Sequence, residues 1–261
     1  MTQFTAALWV ELLKARRSKA LWLTALGFSL APLVGALFMV VLRDPEWARR
    51  AGLLNTKAQI VSGTADWPGY LSMVQQAVAV GGSFIFSLIV TWVFGREYGD
   101  RTVNDLLALP VSREAIVLAK IIVVAAWSLA LALLVSVFAL CLGNILALDG
   151  GTFTLAQQAA ATIALVAGLT VLLVMPFGWV ACATRGYLPT VGAMLLVTFV
   201  TQVLAALGWG AYFPWAVPAL AAGAAGPEAA QLGAGSYTLA ALAGLAGIAA
   251  TLAQWRFADQ A

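Results

Sequence analysis

Residues 96–120 read Arg-Glu-Tyr-Gly-Asp-Arg-Thr-Val-Asn-Asp-Leu-Leu-Ala-Leu-Pro-Val-Ser-Arg-Glu-Ala-Ile-Val-Leu-Ala-Lys, the one long stretch where charge recurs every few positions in an otherwise apolar chain. The runs on either side, 71–95 and 116–146, are long enough to cross a hydrocarbon core, which takes roughly 20 residues of helix. The charged stretch is therefore predicted to be a loop between two membrane spans. Within it, Thr102 with Asp105 three residues on forms an acidic variant of the capping box, and Pro110 ends the short helix so begun. Val103, Leu106, Leu107 and Leu109 give that helix an apolar side, while Arg101, Asn104 and Asp105 point elsewhere. That is the pattern of a helix lying on a membrane surface or in a partner's groove. Ser112 then offers an N-cap oxygen, with Glu114 in the first turn, so a new helix starts there and runs into the bilayer.

Composition carries the same message. Hydrophobic residues make up 62% of the 261 and charged residues only 10%, with a mean hydropathy of +0.95. A soluble domain has about 25% charged residues, so the chain is read as an integral membrane protein. Histidine is absent, which removes imidazole base chemistry, histidine metal ligation and pH switching near neutrality together. Cys141 and Cys182 fall inside apolar runs, where a thiol behaves as a small hydrophobe; neither a disulfide framework nor a metal site is expected. The net charge of +3 suits basic inner loops. No clustered basic face points to nucleic acid.

Six spans are predicted, at 20–42, 71–95, 116–146, 157–183, 188–207 and 237–255. Ahead of them, Phe4, Leu8, Trp9, Leu12 and Leu13 recur at helical spacing before Lys14, Arg16, Arg17 and Lys19, an amphipathic helix for the inner surface. The first span is too long for the apolar region of a cleavable signal, about 7 to 15 residues. A polar outer loop from Arg43 to Gly69 closes at Trp67-Pro68-Gly69-Tyr70, whose rings are expected to anchor the interface. Pro176 and Gly178 mark an expected kink in the fourth span. Gln202 is the only strongly polar side chain of the fifth, and a lone amide there is first an interhelical hydrogen bond. Between Gly208 and Gly235 the chain stays apolar but is broken by Pro214, Pro218, Pro227 and repeated glycine, consistent with short re-entrant outer helices. In the last span, Ala240 with Gly244, and Ala243 with Gly247 and Thr251, are small residues four apart that admit a close neighbour. The chain is read as one all-α domain. Basic residues concentrate on the side of the termini and the 96–120 loop, which the positive-inside rule places in the cytoplasm.

Glu97-Tyr98, Arg101-Thr102, Leu106-Leu107, Leu109-Pro110-Val111-Ser112-Arg113 and Lys120, in that order, resemble the permease subunits of second-class (type-2) ABC exporters. The variant is most similar to their bacitracin-resistance and lantibiotic-immunity branch. Many members carry Gly immediately before the Thr, where this chain has Arg101. The run from Tyr212 to Pro218 also resembles the segment before the last span of bacitracin-type permeases. The resemblance implies that the 96–120 loop holds the coupling helix that plugs into an ATPase subunit. The coupling residues would be Glu97, Arg101, Thr102, Asp105, Leu106, Leu107, Pro110, Ser112, Arg113 and Lys120. Tyr212, Phe213, Pro214, Trp215 and Pro218 would form an outer gate or an aromatic belt.

The predicted spans hold no acidic residue and no mid-membrane Lys or Arg, which disfavours ion coupling. The chain also lacks a Gly-x-x-x-x-Gly-Lys-Ser/Thr phosphate loop. Energy is therefore expected from a separate ABC ATPase pair carrying ATP and Mg, engaging two permeases, identical or paralogous, in a bacterial cytoplasmic membrane. A sequestering immunity protein and an intramembrane enzyme are the two rivals. The cargo stays open, since walls of Ala, Leu, Val and Gly suit peptide antibiotics, lipids and hydrophobic drugs equally.

Overall fold

The computed structural model describes residues 3–52, 64–108, 110–224 and 232–257, and the side chains of Asn104 and Leu107 stand outside that description. Expectations that fall on Leu109, on Pro227 and on residues 53–63 of the outer loop lie outside the described residues as well. Ten α-helices are found in these segments: α1 (Gln3–Arg17), α2 (Lys19–Arg43), α3 (Pro45–Arg50), α4 (Trp67–Gly99), α5 (Val103–Leu107), α6 (Arg113–Ile145), α7 (Phe153–Ala183), α8 (Tyr187–Ala206), α9 (Val217–Ala221) and α10 (Ala234–Phe257). Two 3-10 turns, Gly210–Tyr212 and Pro214–Ala216, precede α9. Among the described residues there is no strand, and six helices, α2, α4, α6, α7, α8 and α10, are long and apolar enough to cross a membrane.

The centre of the bundle is α4 against α7, with α10 on the far side of α7 and α6 joining α1, α2 and α4. Burial follows the sequence rows: Val74, Val78, Phe86, Val90 and Val93 of α4 and Val166, Val174, Ala181 and Cys182 of α7 are all buried. The outermost span is α8, which buries only Thr190 and Met194 and turns Leu188, Leu196 and Phe199 outward. Such a face is at home in lipid. The two 3-10 turns and α9 are the short broken helices expected between residues 208 and 235.

Three details differ from the sequence reading. First, α4 opens at Trp67 and not at Leu71, because the Asp66 carboxylate caps it by accepting from the Gly69 amide at 2.8 Å. Tyr70 is therefore not an interfacial anchor, and Trp67 is half-buried. Tyr70 is fully buried and donates its hydroxyl to the Pro32 carbonyl at 3.1 Å, while Trp67 lies between Gly143 and Gly151, where a β-carbon would collide with its ring. Second, the outer loop holds a helix of its own, α3, capped by Asp44. Third, α4 continues to Gly99, which carries Arg96 and Glu97 into the helix. Helix α7 stays helical through Pro176, and Gly247 of α10 packs against that proline.

Candidate functional site

Helix α4 ends in a Schellman motif: the Thr102 amide donates to the Glu97 carbonyl at 2.9 Å and the Arg101 amide to the Tyr98 carbonyl at 3.3 Å. Arg101 occupies the left-handed position of that motif, with φ of 58°. An L-residue there suffers a clash of its β-carbon that glycine avoids. That conformation gives a physical reason why glycine would suit this position, as in the permeases that the stretch resembles. Arg101→Gly is expected to raise stability by up to about 1 kcal/mol, and Arg101→Ile to lower it; thermal unfolding of the purified protein checks the order.

The side chains beside this turn converge. Glu97 is buried and its Oε2 accepts from the Thr102 hydroxyl at 2.7 Å. Its Oε1 accepts from Lys14 at 2.9 Å and from Lys120 at 3.1 Å. Lys120, fully buried in α6, also donates to Glu11 at 3.2 Å and to the Val93 carbonyl at 3.0 Å. Glu11 closes the ring by accepting from Lys14 at 2.8 Å. Two carboxylates and two ammonium groups thus join three helices, with Arg96 at 4.0 Å from Glu97 and its guanidinium 4.7 Å above the Trp92 ring. For Lys14, burial alone would lower the pKa, yet the hydrogen bonds to Glu11 and Glu97 raise it above its ordinary value. The ammonium therefore stays charged at every physiological pH.

The expectation is of no acidic residue in the spans and no Lys or Arg in mid-membrane; α4 runs past the predicted 71–95 and so carries Glu97 in its last turn, while Lys120 stands in the second turn of α6, both near helix ends. The sequence reading names Lys120 as a coupling residue and Lys14 only as part of the basic end of the amphipathic helix, and it does not single out Glu11. Glu11 was legible only as the one acid on the amphipathic helix. Helix α1 buries Glu11 and Ala15 and leaves Trp9, Val10 and Leu12 outward, so its apolar outer side remains free for a bilayer surface.

The remaining loop residues scatter around the cluster. Asp105 and Pro110 are exposed, Leu106 is half-buried against the core, and the Leu107 side chain lies outside the description. Ser112 caps α6 by accepting from the Ala115 amide at 3.3 Å. Arg113 donates to the Trp255 carbonyl at 3.2 Å, placing a cation where the carbonyls of α10 end, a favourable site for positive charge. Leu106, Val111 and Ile116 face Ala6, Ala7 and Val10 across a small apolar hollow beside α1.

At the other end of the bundle Tyr212 is exposed, Phe213 stacks at 5.5 Å from Trp215, and Trp215 donates its indole N–H to the Leu173 carbonyl at 2.9 Å. Pro214 opens the second 3-10 turn and Pro218 is buried in α9. Trp215 and Pro218, but not Tyr212, border a slender cavity of about 40 Å³ between α4, α7 and α8. Its wall is not smooth hydrocarbon. Ser83, Ser87, Thr170, Thr198, Thr201 and Gln202 all line it.

Residues 7–201 match the family model described as ABC-2 family transporter protein. The chain is also similar to the bacitracin transport permease of Bacillus licheniformis. The two are 27% identical over 145 residues, which cover 55% of this chain and 70% of that permease.

Proposed function

Since the chain belongs to the ABC-2 family of transporters, as a permease of the bacitracin-resistance branch, we propose that it carries an amphipathic compound or peptide antibiotic outward, from the cytoplasm or inner leaflet. Permeases of this family are multi-pass membrane proteins that work with an ABC ATPase and are not themselves catalytic. In this reading ATP and Mg bind the partner ATPases, two permease copies or paralogues form the pathway, and lipid covers the outward leucines and phenylalanines of α2 and α8. The termini lie in the cytoplasm, as the basic residues of α1 and the 96–120 loop favour.

The observation that carries the reading is the buried ring of Glu11, Lys14, Glu97 and Lys120 beside the α5 loop. It binds α1, the end of α4 and the first turns of α6 into one piece. Leu106 and Leu107 dock in the ATPase, Thr102 and Glu97 hold the turn, and Arg113 ties the return helix to α10. A displacement of α5 by the ATPases is then carried into three helices at once. Sequestration without transport would need no such rigid joint.

Arg113→Glu sets a carboxylate against the Trp255 carbonyl, and Leu106→Pro removes the α5 backbone donor bonded to the Thr102 carbonyl at 3.0 Å. Both variants are expected to insert normally and to lose ATPase stimulation and export by at least about tenfold, a cost near 1.4 kcal/mol. Full coupling in both would overturn the assignment. Co-purification of an ATPase separates the exporter from the sequestering protein.

A further inference from the structure

The cavity between α4, α7 and α8 has an unusual polarity. Each of its five hydroxyl groups spends its proton on its own helix. Ser83 donates to the Ala79 carbonyl at 2.6 Å, Ser87 to Ser83 at 2.6 Å, Thr170 to Val166 at 2.8 Å, Thr198 to Met194 at 2.9 Å and Thr201 to Val197 at 2.7 Å. The Trp215 indole is likewise committed to Leu173. What these groups still offer the cavity is oxygen lone pairs. Gln202 adds one amide, an acceptor and a donor together. Among the described residues no Asp, Glu, Lys or Arg lines the wall.

We propose that this cleft grips the cargo, and that it selects a neutral group bearing hydrogen-bond donors, an amide N–H or a hydroxyl, over one that only accepts, such as an ester. The proposal rests on the exporter reading and names its substrate class. A donor entering the cleft forms a new bond with an oxygen that otherwise has none on that side. Beyond the one Gln202 amide, an acceptor can be met only by turning a hydroxyl away from its helix carbonyl, so one bond is lost for each one made there. A charged head would stand unpaired in a membrane interior. The size fits one such group: at about 40 Å³ the space holds roughly three waters, enough for a single amide and not for a whole cargo. The rest of the cargo stays outside the cleft.

Dodecanamide and N,N-dimethyldodecanamide share tail and carbonyl and differ in the N–H donors. Saturable thermal stabilisation of the permease in lipid nanodiscs, without ATPase or nucleotide, compares them. Dodecanamide is expected to half-saturate at about tenfold lower concentration, the size of one net hydrogen bond. In the Thr170→Val, Thr201→Val double variant the two amides should come within about twofold. Equal half-saturation on the parent, tighter binding of the dimethyl amide, no saturable effect of dodecanamide, or an undiminished preference in a folded double variant would each overturn the proposal. If the double variant does not fold, the comparison on the parent decides. Because no ATPase is present, failure here leaves the ABC assignment standing, and failure of ATPase stimulation leaves this result standing.

Discussion

Lys120→Met is expected to be the most damaging single substitution that keeps side-chain volume. The ammonium it removes is fully buried and bonds Glu11, Glu97 and the Val93 carbonyl. Methionine fills the space but leaves two carboxylates with Lys14 as the one remaining ammonium of the ring. Breaking a buried ion pair from one side costs about 3–5 kcal/mol, because the uncompensated charge stays inside. Denaturation of the detergent-solubilised protein should show that loss, and ATPase stimulation should fall with it as α1 and α4 come apart from α6. Adding Glu97→Gln to Lys120→Met removes one stranded carboxylate, so the double variant should be more stable than Lys120→Met alone. Recovery of that kind is the signature of direct coupling. A Lys120→Met protein within about 1 kcal/mol of the parent would show that water or Lys14 compensates the carboxylates, and the ring would no longer explain the joint.

Most of the fold could be read in advance because a bilayer imposes length and apolarity on a span, and those are visible residue by residue. The six spans, the helix on either side of residues 100–112 and the broken segment after Gly208 came from that constraint. The site was harder to read, for three physical reasons. Glu11 and Lys14 are distant in sequence from Glu97 and Lys120, and an acid on an amphipathic helix looks the same whether it faces water or plugs a gap beneath a bundle. Arg101 hid the Schellman turn because a left-handed arginine leaves no glycine to mark it. The hydroxyls of the cleft are individually ordinary: serine and threonine in a span bond to the preceding turn. Only packing shows that those of α4, α7 and α8 share one wall.

Gly247→Val is expected to lift α10 off α7. A β-carbon on Gly247 would come within 2.6 Å of the Pro176 Cα, and one on Gly244 would run into Leu172. The obstacle is backbone, so no rotamer change relieves it, and overpacking of this kind costs on the order of 3 kcal/mol. Gly244 and Gly247, one from each of the two series of small residues four apart, thus form a seam with α7, the close packing expected of those series. The seam has a reporter. Cys182 of α7 is buried and accepts a hydrogen bond from the Trp255 indole of α10 at 3.1 Å, whereas Cys141 is exposed. In the parent, a thiol reagent should label Cys141 and spare Cys182. In Gly247→Val the Trp255 cover withdraws, the Arg113 bond to the Trp255 carbonyl is lost with it, and Cys182 should label at a rate approaching that of Cys141. Gly235, with nothing within 4 Å of its own added β-carbon, is the control; Gly235→Val should leave Cys182 protected. Continued protection of Cys182 in Gly247→Val would mean that α7 and α10 can separate by a methyl's width without opening, and the seam would then be no close contact at all.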